Sequence, residues 1–305
     1  MNSRLIVFII FILPISFGTY TLTAQENENS FRAKYPKIDA GQNWYDTYLI
    51  AENTYAIIAP NHWQETISYL LIGENKALLV DTGMGIGNIK LTVDALTTLP
   101  IIVINTHSHY DHVSNNYLFE TIYGRDLAFT EKNASGHPRS TWENAIQPTA
   151  IKDNLPSDFS FENYQSKPFE ITKFVEDGEI IQLGNRPVEV IFTPGHTPDS
   201  MLFFDRNEGF LMTGDTFYPS TLWAHRADAS FKDYLASAER MAEMEHRVKY
   251  LLPGHGEPIA SPTYLTKLRD AFLAMRDPNT PFTKGENRRR YEFDGFAALV
   301  KDPPE

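Results

Sequence analysis

The chain has 305 residues, 42% hydrophobic and 13% aromatic, enough apolar material for one large packed core or two modest ones. Its 39 acidic residues against 27 Lys and Arg leave a formal charge of −12, which opposes any surface built to neutralise phosphate backbones, so no nucleic-acid partner is expected. There is no cysteine, which excludes disulfides, a thiol nucleophile and thiolate metal ligands; any bound metal must be held by nitrogen and oxygen.

Residues 1–24 place Arg4 ahead of an apolar run from Leu5 to Phe17, broken by Pro14 and followed by small and polar residues. That is the layout of a secretory signal peptide, with Ser16-Phe17-Gly18 and Leu22-Thr23-Ala24 as candidate cleavage sites. The run is shorter than the ~20 residues a bilayer core requires, so the expectation is export to the periplasm or beyond, with no stable membrane insertion after cleavage. A retained anchor is the alternative. Residues 25–43 are polar and aperiodic and predict a flexible lead-in.

From residue 44 to 305 the pattern reads as a single domain. β-rich runs at 54–59, 66–72 and 76–81, separated by turn residues, predict successive antiparallel strands. Asn88–Leu99 carries Ile89, Val93 and Leu96 near helical spacing, and Pro100 then precedes the wholly apolar strand Ile101–Ile104. The rhythm returns with strands at 179–183, 187–192, 200–204 and 209–213, a helix at about 231–246, a buried strand at Tyr250–Leu252 and a helix over 262–276. Two related α/β halves facing one another suit that order. Between them, residues 130–175 show no sustained period; short helices and a lid-like insertion over a site are expected, against a surface embellishment without substrate contact.

The strongest chemical signal is His107-Ser108-His109-Tyr110-Asp111-His112, directly after the apolar strand. In extended chain, side chains two apart point the same way, so His107 and His109 can grip one ion while Asp111 and His112 turn toward a neighbouring one. Three further candidates each follow a glycine at a strand end: His196 in Thr193-Pro194-Gly195-His196, Asp215 in Thr213-Gly214-Asp215, and His255 in Pro253-Gly254-His255. Imidazole and carboxylate donors suit zinc, and also iron or manganese. Gly83-Met84-Gly85-Ile86-Gly87 lacks the spacing of a nucleotide loop and reads as a turn before a helix.

Over roughly residues 50–260 this pattern, H-x-H-x-D-H followed by a distant His, Asp and His, resembles the metallo-β-lactamase superfamily. The resemblance implies a four-layer αββα sandwich with two divalent ions, expected to be zinc, in a cleft at one edge of the sheets. It places His107, His109 and His196 on the first ion, Asp111, His112 and His255 on the second, and Asp215 between them, with Asp81 orienting a histidine ligand. Two such ions hold and ionise a shared water, so the implied activity is hydrolysis of a small-molecule carbonyl ester, thioester or lactone by a dinuclear-metal-bound hydroxide.

The missing cysteine excludes one large class of true β-lactamases, and the bridging aspartate is similar to that of glyoxalase II and lactonases. β-Lactam hydrolysis is the alternative within the class. A mononuclear-iron sulfur dioxygenase using His107, His196 and Asp215 is the alternative outside it. Asp111 is a candidate to steer the attacking water, and Tyr218, where acyl-homoserine lactonases resemble this chain, a candidate to hydrogen-bond the carbonyl or oxyanion. His62 and Trp63 are expected as solvated loop residues or a flap, His225 as packing or pocket lining, His137 and His246 as structural or surface residues, and Arg288-Arg289-Arg290 as a solvated or salt-bridged face.

Overall fold

The computed structural model describes residues 31–304; the expected signal peptide lies outside them. The first sheet has eight strands in chain order: β1 (Lys37–Ile38), β2 (Asp46–Ala51), β3 (Thr54–Ile58), β4 (Ile67–Ile72), β5 (Ala77–Val80), β6 (Ile101–Ile104), β7 (Ile122–Gly124) and β8 (Lys173–Phe174). A second sheet contains β9 (Ile180–Gln182), β10 (Pro187–Phe192), β11 (Met201–Asp205) and β12 (Phe210–Gly214). The next strand along the chain, β13 (Thr221–Ala224), joins a third sheet, and β14 (Tyr250–Pro253) completes the second beside β12.

The helices are α1 (Phe31–Lys34), α2 (Ile89–Leu96), α3 (Tyr110–Val113), α4 (Ala128–Ala134), α5 (Arg139–Trp142), α6 (Phe231–Glu243) and α7 (Tyr264–Ala274). Parallel strands need a crossover, and the two halves supply it alike: α2 links parallel β5 and β6, and α6 lies between parallel β12 and β14.

Period-2 alternation builds the layers. In β4, Ile67, Tyr69 and Leu71 face the second sheet while Leu70 faces α2; in β11, Met201 and Phe203 face inward while Leu202 and Phe204 face α6 and α7. The core between the sheets is therefore closed on both sides by helices, giving the αββα sandwich the sequence implies. Ser230 caps α6 by accepting from the Asp233 N–H, and Asn88 caps α2 through the Lys90 N–H.

Two regions depart from the sequence reading. Part of the expected lead-in is ordered: α1 precedes β1, which pairs with β2, and Ala40 is buried. The C-terminal tail, unassigned after the 262–276 helix, forms β15 (Thr283–Gly285), β16 (Arg288–Phe293) and β17 (Phe296–Lys301), which with β13 make a four-stranded sheet in the order β13-β17-β16-β15. Tyr291, Phe296, Ala298 and Val300 from it pack into the core under α6 and α7. The 130–175 segment carries the expected short helices, and its Trp142, Ala145, Ile146 and Tyr164 pack on the α2 side of the first sheet.

Candidate metal centre

All seven expected ligands converge at one end of the sandwich, beyond the C-terminal ends of β6, β12 and β14. His109 is still extended (φ −66°, ψ 151°) and α3 begins at the next residue, so the chain changes period inside the motif. Alternation aims His107 and His109 together, and the first turn of α3 swings Asp111 and His112 to the adjacent position. Gly214 (φ 49°) is required because a Cβ there would lie 2.4 Å from the Cβ of Thr106, and that approach carries Asp215 to His107 and His112. Gly195 likewise lets the turn before His196 close on Tyr234, whose Cα would be 2.4 Å from an added Cβ.

In the first set, His109 Nδ1 lies 3.0 Å from His107 Nε2 and 3.2 Å from His196 Nε2. The outward ring nitrogens decide the tautomers. Thr106 Oγ1 donates to Asp81 and so accepts from His107 Nδ1, His196 Nδ1 donates to the Trp223 carbonyl, and His109 Nε2 donates to Asp228 Oδ2. Each inward nitrogen is then a bare lone pair, and three lone pairs aimed at one point have no hydrogen between them. A cation is their complement.

In the second set, His112 Nδ1 donates to Asp81 Oδ2 (2.8 Å) and His255 Nδ1 to the Gln64 carbonyl (2.8 Å), again turning Nε2 inward. Those nitrogens meet Asp215 Oδ1 at 3.4 and 3.0 Å and Asp111 Oδ2 at 4.0 and 3.8 Å. Asp215 Oδ2 is 3.5 Å from His196 Nε2, so the carboxylate spans both sets. Buried His112 Nε2 and Asp215 Oδ1 make no hydrogen bond, a costly arrangement that a divalent ion resolves. The donor set fits the metals the sequence implies.

Charge follows the same geometry. Burial, with the neighbouring imidazoles, drives the pKa of His107 well below its usual value, and burial alone dominates at His196, lowered to about 4. Burial also opposes charge on His112, but Asp81 and Asp215 outweigh it and hold its pKa well above normal; Asp215 does the same more weakly for His255. Asp228 is partly buried, yet the His109 hydrogen bond brings its pKa down to about 2.

Above the ligands is a cavity of about 730 Å³ with Trp63, Tyr110, Asn144, Tyr218, Trp223 and Arg226 among its walls. The Tyr218 hydroxyl donates to the Thr221 carbonyl (2.6 Å) and its ring stands edge-on to His255, centroids 5.3 Å apart. Trp63 is exposed at the cavity, as a flap residue would be, whereas His62 is fully buried rather than solvated, its Nε2 donating to the Ala145 carbonyl. An isolated β-bridge joins His62 to Ile151, binding the β3–β4 loop to the 130–175 segment, from which Ser140, Thr141 and Asn144 also line the cavity. His225 lies outside the cavity wall, His137 meets the Ser108 carbonyl, and His246 is exposed.

Sequence reasoning missed Asp228 and Gln64. Gln64 donates from Nε2 to Asp111 Oδ2 (2.6 Å) and accepts from the Tyr110 hydroxyl (3.2 Å). Both act on ligands distant in sequence and carry no spacing signal; the polar run after β13 that contains Asp228 was the only trace.

Residues 65–281 match the family model of the metallo-beta-lactamase superfamily. The chain belongs to that superfamily. The superfamily and its curated relatives are metallo-hydrolases, and the chain's His/Asp clusters are compatible with the divalent metals typical of the group. Among curated relatives of this superfamily member, the acyl-coenzyme A thioesterase MBLAC2 of Bos taurus is 24% identical over 206 residues, covering 61% of this chain and 71% of its own. A probable metallo-hydrolase of Methanocaldococcus jannaschii is 30% identical over 200 residues, covering 62% and 87%. Of solved structures, the sec-alkylsulfatase Pisa1 from Pseudomonas sp. superposes with a TM-score of 0.59 at 15% identity, covering 75% of this chain and 42% of that one, a likeness of fold.

Proposed function

We propose that the protein is an exported dinuclear zinc hydrolase of a carbonyl ester, thioester or lactone. The observation that carries the reading is Asp215, whose two oxygens face two separate groups of inward imidazole nitrogens at 3.0 to 3.5 Å. Two divalent ions held there supply a Lewis acid for the carbonyl and lower the pKa of water toward neutrality.

The protein's own groups do the rest. Asp111 Oδ2, fixed by Gln64, faces the shared space, where it orients the attacking water and accepts its proton for delivery to the leaving group. The cavity's aromatic walls hold the acyl group and exclude bulk water. To polarise the carbonyl, the Tyr218 hydroxyl must give up its bond to Thr221, so its share is smaller than that of the ligands. The thioesterase relatives favour an acyl thioester or ester over a β-lactam. Export rests on the signal-like residues 1–24.

Elemental analysis of the purified protein, paired with assays on a thioester, a simple ester, a lactone and a β-lactam, tests the reading. We expect about two zinc ions per chain and turnover that His109→Ala reduces by more than ~10³-fold. One iron per chain with oxygen uptake on a persulfide and no hydrolysis overturns it in favour of the dioxygenase, and a protein that binds no metal overturns the site.

A further inference from the structure

The cavity does not end at its lip. Thr221 and Trp223 on β13 line it, and the register β13-β17-β16 sets Trp223 beside Leu299 and Leu299 beside Arg290, with Lys301 opposite Arg288. Residues two apart share a face, so Thr221, Trp223, Leu299, Lys301, Arg288 and Arg290 lie on one surface of the third sheet. Contacts settle the side: Arg290 Nη1 donates to Thr221 Oγ1 (3.0 Å), whereas the intervening Arg289 pairs on the other face with Asp302 (2.6 Å).

The charges on that surface are unevenly satisfied. Arg290 has Glu292 as a partner, but among the described residues Arg226, Arg288 and Lys301 form no ion pair. Lys301 Nζ donates only to the Ala229 carbonyl (2.6 Å). Half-buried His225 ties the group together: burial, then the charges of Arg288 and Arg226, lower its pKa, so both guanidinium groups lie within Coulombic reach of one ring. Trp223, 36% exposed, sits beside that ring with centroids 5.6 Å apart. On a chain of net charge −12, Arg288 and Lys301 without an ion pair, Arg226 within Coulombic reach of Asp228, and an exposed indole leading out of the cavity form a local anion path against the general charge.

We propose that this strip, running from Arg226 at the cavity lip to Arg288 and Lys301 on the third sheet, binds a phosphate-bearing leaving half of the substrate, making the substrate an acyl thioester or ester of a phosphorylated carrier. The proposal rests on the hydrolase reading above. Guanidinium and ammonium groups take phosphate through charge-assisted hydrogen bonds, and the indole offers a flat face to a ring on the carrier. In the reaction the water oxygen bonds to the acyl carbon, the C–S or C–O bond breaks, and the water proton goes to the departing thiolate or alkoxide. The strip holds that departing half and touches no reacting atom.

The test compares acetyl-coenzyme A with S-acetyl-N-acetylcysteamine, the same acyl group on a thiol without phosphate, using the full zinc-loaded chain. The expected KM is at least ~10-fold lower for the phosphate-bearing thioester, with an advantage that shrinks as salt rises. In the double variant Arg288→Ala, Lys301→Gln that KM ratio should collapse by roughly tenfold, while Arg206→Ala, at the turn after β11, preserves it. A ratio near one in the wild type, or one preserved in the double variant, overturns the proposal. Turnover of a lactone or simple ester but of neither thioester overturns it while leaving the hydrolase reading intact. Should no carbonyl substrate be cleaved, the hydrolase reading fails, and calorimetric binding of coenzyme A to the same protein decides the strip: binding weakened in the double variant upholds it, and no binding to the wild type overturns it.

Discussion

Among the described residues, the sandwich buries an ionic cluster at each end of its sheets, and the two are finished differently. At the end away from the cavity, Arg186 reaches from the second sheet to the first: Nε and Nη2 donate to Asp205, Nη2 also to Thr54 Oγ1, and Nη1 to the carbonyls of Asn53 and Ile72. Every donor group on that guanidinium has an acceptor, and the pair is almost fully enclosed. At the cavity end, charge is just as deeply buried, but His112 Nε2 and Asp215 Oδ1 are left without partners. A closed cluster fixes how two sheets sit; an open one is a socket whose missing member carries the opposite charge.

The largest effect should come from breaking the closed cluster. Arg186→Ala strands Asp205 as a buried, unpaired carboxylate and should cost about 3–5 kcal/mol, read as a fall in denaturation midpoint with metal content per folded chain retained. An unchanged midpoint means that the pin contributes nothing. Next is the support of the open cluster. Asp81 holds His112 Nδ1 and both the N–H and the hydroxyl of Thr106, and its backbone lies in the left-handed region (φ 62°) that asparagine also tolerates. Asp81→Asn should keep the fold yet weaken the second metal, whose His112 it holds directly, by roughly 10–100-fold, and the first, which it reaches only through Thr106 and His107, by less, measured by competition with a chelator; equal loss of both metals contradicts the division into two sets.

The smallest effect concerns His62, outside both clusters. It is neutral in the fold, with Nε2–H on Ala145 and Nδ1 accepting from the Gln64 N–H, and burial lowers its pKa. A depressed histidine pKa means that the unfolded chain takes up the proton first. Its contribution is therefore complete above about pH 6.5 and is lost as pH falls through the window below that value. His62→Asn should flatten the decline in melting temperature of the metal-loaded protein between about pH 7 and 5, by less than about 1 kcal/mol. An unaltered slope removes His62 as a contributor.

What could be read in advance depended on how locally each feature is encoded. The ligands were legible because each sits within a few residues of an apolar strand and a glycine or histidine cluster, and because their order along the chain resembles the superfamily pattern. Gln64 and Asp228 were not, because their roles arise from contacts across 47 and 119 positions of chain. The third sheet escaped because β16 reads RRRYEF, whose charges hide the alternation that buries Tyr291 at 1% exposure. β7 and β8, three and two residues long, are too short for any period to show. His62 was misplaced as solvated because its burial depends on the 130–175 segment folding over it, which no local pattern announces.

The His62–Ile151 bridge has an evolutionary corollary. Because the β3–β4 loop and the insertion share backbone hydrogen bonds, Trp63 N–H to the Ala150 carbonyl and Lys152 N–H to that of Asn61, they are one heritable module rather than two loops. A chimera that imports either segment alone from a relative exposes polar edges on the other. Lineages that diversify this wall should therefore change both segments together, and transplants of substrate preference should move them as a pair.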